Sequence, residues 1–288
     1  MRKVRIDETD ELVDICRDNV FKAVFTKNTP VSRGALSALL SSLVGRELTV
    51  QAITANEPPV ENVRDRQIRF DIACKAETGE LANVEMTLYP DTLEPLRLEF
   101  HSGKLFSGQD IYGRDKSFSD LQYTYQISFL VHKSFFPDNE LVHCFEYFDP
   151  IRKIALGGRS RIITAELQKL DTIIDKSVNE MNGQEHWSVF FRYICDKTKR
   201  EKINGILECE EGIAMASEVL LTISKDEVER ARLLSEYKYK TDLQSQRVDA
   251  RREGLQEGLQ KGLQKGRNEL LDLLKSGAAP EEIIKRYT

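Results

Sequence analysis

Asp71 and Glu85 are the two residues whose type and spacing could do chemistry. They stand in "RFDIACKAETGELANVEMTLYP", residues 69–90, one in each of two apolar-flanked runs separated by a polar, glycine-containing break. Strand side chains alternate faces, so Asp71, Ala73 and Lys75 share one face of the first run, and Glu85, Thr87 and Tyr89 one face of the second. A tight turn near Thr78 and Gly79 would bring the two carboxylates together across the pair. There they repel unless a cation lies between them. Mg²⁺ suits such a setting, because it takes a couple of carboxylates with backbone carbonyl and water and needs no dedicated cage. Exposed acidic residues on an ordinary hairpin are the competing reading of the same spacing.

Other chemistries find less support. Cys16, Cys74, Cys144, Cys195 and Cys209 are scattered, odd in number and without a CxxC pair. That leaves no disulfide framework and no zinc spacing, and predicts reduced, mostly buried thiols. His101, His132, His143 and His186 are equally dispersed and form no HExxH motif. The net charge of −5 is not that of a chain drawn to polyanions from a distance. Any polyanion site must be a local patch, for which Arg64, Arg66 and Arg69 just before Asp71, or Arg97 with Lys104, are the candidates; scattered, solvated arginines are the alternative.

Such a hairpin needs elements to hold it. At 288 residues and 40% hydrophobic content the chain can build a real core. No run of about 18 apolar residues is present to span a bilayer. The start "MRKVRIDETDELVDIC" lacks an apolar signal core, which predicts a cytoplasmic location. Helical spacing is read over residues 10–25, through Leu12, Ile15, Asn19 and Phe21 to Phe25, and again in "SRGALSALLSSLVG", which closes at Gly45. A short alternation from Leu48 to Ile53, a loop at "NEPPVEN", and the hairpin come next. "RLEFHSGKLFSGQ" returns to a helical pattern, while "LQYTYQISFLVH", "ELVHCFEYFDP" and "RIITAELQKL" read as strands. Helices resume after about residue 180.

The last third is polar and rich in helix formers, and predicts one or more long helices. "EGLQEGLQKGLQKG" repeats every four residues, with Gly254, Gly258, Gly262 and Gly266 in one register and Leu255, Leu259 and Leu263 in the next; Leu270 and Leu274 extend the leucine stripe. Each glycine costs a helix roughly 1 kcal/mol against alanine. The stripe is therefore either a helix interface that orders on self-association or a flexible tail.

Taken in order, these segments resemble the PD-(D/E)XK nuclease family transposases, which include the recombination-promoting nucleases of bacterial and phage-related genomes. "DNVFKAVF" is similar to the family's opening aspartate and Phe-Lys signature, and "FDIACK" and "NVEM" to its two active-site strands. "RLEFHSGKLFSGQ" is similar to the family's helix after the active site and "TAELQKL" to its Glu-Leu-x-Lys strand. "SFSDLQYTYQISFL" between them is also similar, and the glycine repeat with "SGAAPEEIIKRY" resembles the family's tail. The resemblance implies an α/β, restriction-endonuclease-like core with a mixed central sheet flanked by helices, followed by a helical C-terminal region. It would place a nuclease-like domain at 1–175, a helical region at 176–245 and a glycine-repeat tail at 246–288.

By the same resemblance, Asp71 and Glu85 would be the acidic residues of the two strands and would hold Mg²⁺, with Mn²⁺ or Ca²⁺ as substitutes in vitro. The Met86 carbonyl would be a further ligand. Asp18 matches the opening aspartate, whose role could equally be capping or packing, and Gln109 falls where the family often has a glutamine. The family's third motif residue, two after the glutamate, is usually Gln or Lys, and here it is Thr87. A threonine hydroxyl carries no charge with which to steady a phosphate. Lys22, Lys104 and Gln109 are candidates to replace that function. The implied activity is Mg²⁺-dependent hydrolysis of DNA, linked to mobile elements or recombination, by a homo-oligomer joined through its C-terminal helix. The alternative is a degenerate member kept for DNA binding or assembly.

Overall fold

The structure, a computed structural model, describes residues 4–54, 70–111 and 115–276. Arg64, Arg66 and Arg69 therefore lie outside the described residues, as does the closing stretch 277–288. The chain divides into two units, Met1–Leu233 and Leu234–Thr288.

The helical expectation over residues 10–25 holds only for α1, Asp18–Phe25. Residues 4–17 form no helix, because their backbone groups find partners elsewhere. Asn204 clasps Ile6 by accepting from its N–H at 2.9 Å and donating to its carbonyl at 3.0 Å, and Val13 N–H donates to Ser224 Oγ at 3.1 Å. Tertiary bonds of this kind override a local propensity of a few tenths of a kcal/mol per residue. Helix α2, Pro30–Val44, closes as expected at Gly45, in the left-handed region at φ 78°, and opens ahead of the segment read from the sequence, where Thr29 Oγ1 accepts from Ser32 N–H and Pro30 takes the first turn.

Strands β1 (Val50–Ile53), β2 (Ile72–Ala76) and β3 (Leu81–Thr87) form an antiparallel meander. The turn between β2 and β3 needs Gly79, which sits at φ 99°. Helix α3, Glu94–Ser107, crosses over to β4, Thr124–Leu130, which lies parallel to β3. The edge strand β5 (Val142–Phe145) and a small ribbon of β6 (Phe148–Asp149) and β7 (Ile154–Ala155) precede β8 (Ser160–Glu166). The six-stranded sheet runs in the order β1-β2-β3-β4-β8-β5 and is mixed, its centre parallel and its edges antiparallel.

The two faces of that sheet differ in chemistry. Ile72, Cys74, Val84, Met86, Tyr125, Ile127, Phe129, Ile163 and Ala165 point to one side and join the main core, closed by α1, α2, α4 (Gly183–Tyr193), α5 (Arg200–Cys209) and α6 (Glu211–Lys225). Phe21, Phe25, Phe129, Trp187, Phe190 and Phe191 meet there ring against ring, each burial contributing roughly 1.5–3 kcal/mol. The other face carries Asn83, Glu85 and Thr87 on β3, Gln126 and Ser128 on β4, and Ser160, Thr164 and Glu166 on β8. Helix α3 covers it, and Phe70, Ala73 and Leu105 form an apolar patch there with Leu81 packed against it.

Thiols depart from expectation. Cys16 and Cys74 are buried, but Cys144, Cys195 and Cys209 are exposed, because they fall on an edge strand, just after α4 and at the last turn of α5 rather than on inward faces.

Helix α7, Glu227–Lys275, contains the glycine repeat. Leu255, Leu259 and Leu263 are 76%, 65% and 67% exposed, and open space surrounds the positions a Cβ would take at Gly254, Gly258, Gly262 and Gly266. The side chain of Leu274 lies outside the described set.

Candidate active site

The β2–β3 register pairs Ile72 with Val84 and Ala73 with Asn83. Continued by one residue, it sets Asp71 directly opposite Glu85 on the polar face, where paired Cβ atoms stand about 4.5–5.5 Å apart. Asp71 Oδ2 accepts from Met86 N–H at a long 3.4 Å. Because the Thr87 carbonyl accepts from Val131 N–H on the β4 side, the Met86 carbonyl leaves on the opposite, Asp71 edge of β3. All three groups expected of the metal ligands therefore converge on one end of the hairpin.

Glu85 is held from two sides. Its Oε1 accepts from Asn83 Nδ2 at 2.8 Å and meets His101 Nδ1 at 2.7 Å, and the Asn83 amide also donates to Gln126 Oε1 at 2.9 Å. Both bonds run to Oε1, which leaves Oε2 as the oxygen a cation would take. Neither Asn83 nor His101 was singled out by sequence reasoning. Asn83 carries a signal, since it lies two residues before Glu85 on the same strand face; His101 shows none until α3 is laid across the sheet.

Lys22 is the decisive addition. Its ammonium bridges Asp71 Oδ1 at 2.9 Å and Asp18 Oδ1 at 2.7 Å, reaching over from α1. Burial opposes its charge, but Asp71 and Asp18 outweigh that and hold Lys22 above the ordinary lysine value. Asp71 is moved the other way: burial first, then the Asp18 charge, with a smaller push from Glu85, raise it to about 6 against the opposing pull of Lys22. Asp18 is the first residue of α1, and its side chain serves this network rather than the N-cap, which is Arg17.

Thr87, Gln109 and Lys104 are placed elsewhere. Thr87 Oγ1 joins Arg97 at 2.9 Å and Glu94 at 3.3 Å, and Arg97 pairs with Glu94 at 2.7 Å. Burial raises the Glu94 carboxyl, Arg97 opposes that, and the Glu85 charge adds to it. The Arg97 charge is thus committed to α3 and not to an open patch. Gln109 lies just beyond α3 and spends its amide on the backbone of Gln122, at 3.1 and 2.7 Å. Lys104 is exposed one turn past His101.

Buried polar atoms on this face also lack partners among the described residues: Asn83 Oδ1, Gln126 Nε2, Ser128 Oγ and Thr164 Oγ1. Such atoms are usually met by ordered water or ligand. Among the described residues no group of three or more His, Cys, Asp or Glu side chains could hold a metal ion.

A family model described as PD-(D/E)XK nuclease family transposase matches residues 15–250. The chain belongs to this family. Its span in the PD-(D/E)XK match takes in α1, the acidic hairpin, α3 and the whole six-stranded sheet, so the mixed sheet flanked by helices is the nuclease core that the resemblance implied. No curated protein and no solved structure matches the chain. PD-(D/E)XK nucleases are generally divalent-metal dependent, and membership of the family implies DNA binding. No helix among the described residues is long and apolar enough to cross a membrane.

The raised Asp71 carboxyl has a measurable consequence without metal. A carboxyl whose ionisation moves from 3.8 to about 6 on folding binds its proton more tightly in the folded state. The resulting cost is absent below the unfolded value, grows between about pH 4 and 6, and is complete above about pH 6. Asp71→Asn should therefore raise the melting temperature in EDTA at pH 7.5 and not at pH 4, by calorimetry. An equal gain at both pH values would show that the charge of Asp71 is not the source.

Proposed function

We propose that this chain is a Mg²⁺-dependent DNA endonuclease that hydrolyses phosphodiester bonds, with Asp71, Glu85 and the Met86 carbonyl as metal ligands and Lys22 in the role the family usually gives to a Gln or Lys two residues after the glutamate. The observation that carries this reading is the Lys22 ammonium at 2.9 Å from Asp71, on the face where Glu85 stands opposite. Two carboxylates and a backbone carbonyl are a donor set that Mg²⁺ accepts with water completing its shell, so the lack of a third acidic ligand among the described residues fits Mg²⁺ better than a caged ion. A bound cation would lower the pKa of a water and neutralise charge on the phosphate.

The residues themselves do the rest. Asn83 and His101 fix the Glu85 carboxylate so that it does not turn away when a phosphate arrives. Asp18 anchors the far side of Lys22 and keeps the ammonium at the site. An ammonium in that place can lie against a non-bridging phosphate oxygen and stabilise charge as it develops. Mn²⁺ and Ca²⁺ are the expected substitutes in vitro, the setting is the cytoplasm, and the role is in mobile elements or recombination.

A second reading keeps the fold and drops the chemistry. Thr87 is bound into the Arg97–Glu94 network and Gln109 into the backbone of Gln122, so neither faces a substrate. On that reading Lys22 stands permanently where the cation would be, and the protein binds DNA or assembles without cutting. Incubation of supercoiled plasmid with purified protein separates the two: nicked and linear products in Mg²⁺ and none in EDTA are expected, and intact plasmid in both would favour the degenerate member.

Self-association completes the proposal. Burying three exposed tail leucines against a second copy would contribute roughly 1.5–3 kcal/mol each, which offsets a cost of about 4 kcal/mol for four helical glycines. Changing Leu255, Leu259 and Leu263 together to Ser should convert the protein to monomer in light scattering. An unchanged mass would make the repeat a linker.

A further inference from the structure

A cavity of about 270 Å³ opens on the polar face between α3 and the β8–β5 edge. Its walls combine aliphatic residues such as Leu98 and Ile162 with aromatic ones, Phe135 and Phe136 on the loop after β4, Phe145 on β5, and Tyr147. Phe136 and Phe145 lie with ring centroids 5.1 Å apart, and the main chain carrying Phe135 and Phe136 is pinned by Glu166 Oε1, which accepts from both N–H groups. Phe145 and Tyr147 are 39% and 58% exposed, so these rings are open to a ligand rather than spent on the core. At the floor stands Thr164, 1% exposed, whose Oγ1 has no partner among the described residues.

The cavity adjoins the candidate active site. Glu94 lines it, and Glu94 Oε1 is bonded to Thr87, two residues after Glu85, and to Arg97. Ser102 lines it too, on the flank of α3 that carries Glu94 and Leu98, while His101 turns to Glu85 and Phe70. The charges on its rim are carboxylates, Glu94, Glu99 and Glu146, two of them paired to Arg97 and Arg161. With Glu94 and Glu146 each paired to an arginine, those two carry little net charge, and the aromatic lining favours a flat, uncharged ring. Carboxylates and a buried hydroxyl favour, among such rings, one that donates hydrogen bonds.

We propose that this cavity binds one nucleobase with an exocyclic amino group, drawn out of the stack beside the phosphodiester presented to Asp71 and Glu85. The proposal rests on the nuclease reading for its position and on the cavity for its chemistry. Stacking on the exposed rings of Phe145 and Tyr147 offsets the cost of unstacking the base, and Glu94, Glu146 and Thr164 line the cavity as acceptors for its amino group and ring edge. An amino-bearing base is favoured over thymine, so the pocket gives the enzyme a base preference at a fixed distance from the cut.

Saturation-transfer NMR on the full-length protein without metal, with deoxyadenosine, deoxycytidine and thymidine as probes, tests the pocket. Saturable binding of the first two, at least tenfold weaker binding of thymidine, and loss of at least tenfold in affinity in both Thr164→Val and Phe145→Ala are expected. Phe145 is at a half-open edge and Thr164→Val is nearly isosteric, so one folded variant suffices. Equal binding of all three probes, no binding, or binding unchanged in the variants would overturn the proposal. The readout needs neither metal nor cleavage. A protein that cuts plasmid but binds no nucleoside overturns the pocket alone, while nucleoside binding by a protein that leaves plasmid intact upholds the pocket and overturns the nuclease reading.

Discussion

Asp71→Asn lowers Mg²⁺-dependent DNA cleavage by at least about 10²–10³-fold, the effect expected when a metal centre worth several kcal/mol of transition-state stabilisation loses a charged ligand. Glu85→Gln should do the same. Neither change should damage the fold, because Asp71 stands at the rim of the sheet under repulsion from Asp18 and Glu85, and a glutamine at position 85 keeps an oxygen for Asn83. Circular dichroism and melting curves recorded beside the cleavage assay check that point. Parental cleavage by the double variant would place the activity outside this hairpin.

Lys22→Gln is the second large effect. In the metal-free protein Lys22 neutralises two aspartates at 2.7 and 2.9 Å, so its loss leaves Asp18 and Asp71 facing each other without that counter-charge. The variant should be less stable at pH 7.5, and its cleavage, measured at saturating Mg²⁺, should fall by about 10²-fold, as when a single preorganised donor is removed from a charge-stabilising site. Adding Thr87→Lys to restore the family's residue should bring no gain. The new ammonium would meet Arg97, which already holds Thr87 and Glu94. A marked rise in activity from Thr87→Lys alone would instead identify Thr87 as the limiting departure and remove Lys22 from the chemistry.

How much of this was legible in the sequence depends on the range of the interactions involved. The hairpin was readable because its signal is local: two alternating runs, a glycine needing φ 99° between them, and a register set by the turn. Helices α2 and α3 were readable from their spacing and, for α2, its closing Gly45. Residues 10–17 were not, because Asn204 and Ser224, some two hundred positions away, satisfy their neighbours' backbone groups. The site divides in the same way. Asp71 opposite Glu85 is a consequence of strand period, and Lys22 could be named only as one of three candidates until α1 was seen to bring it within 2.9 Å of Asp71. His101 had no signal, since its contact with Glu85 depends on how α3 lies over the sheet. The contrast between an apolar and a polar sheet face needed the register of β3, β4 and β8, which no single segment carries.

Everything proposed for the chemistry requires that Asp71 and Glu85 share a cation. Calorimetric titration of the purified protein with Mn²⁺ at pH 7.5 measures that sharing directly. One site should be seen in the parental chain, and none in Asp71→Asn or Glu85→Gln. A site of unchanged affinity in both variants would contradict the claim, whatever the protein does to DNA.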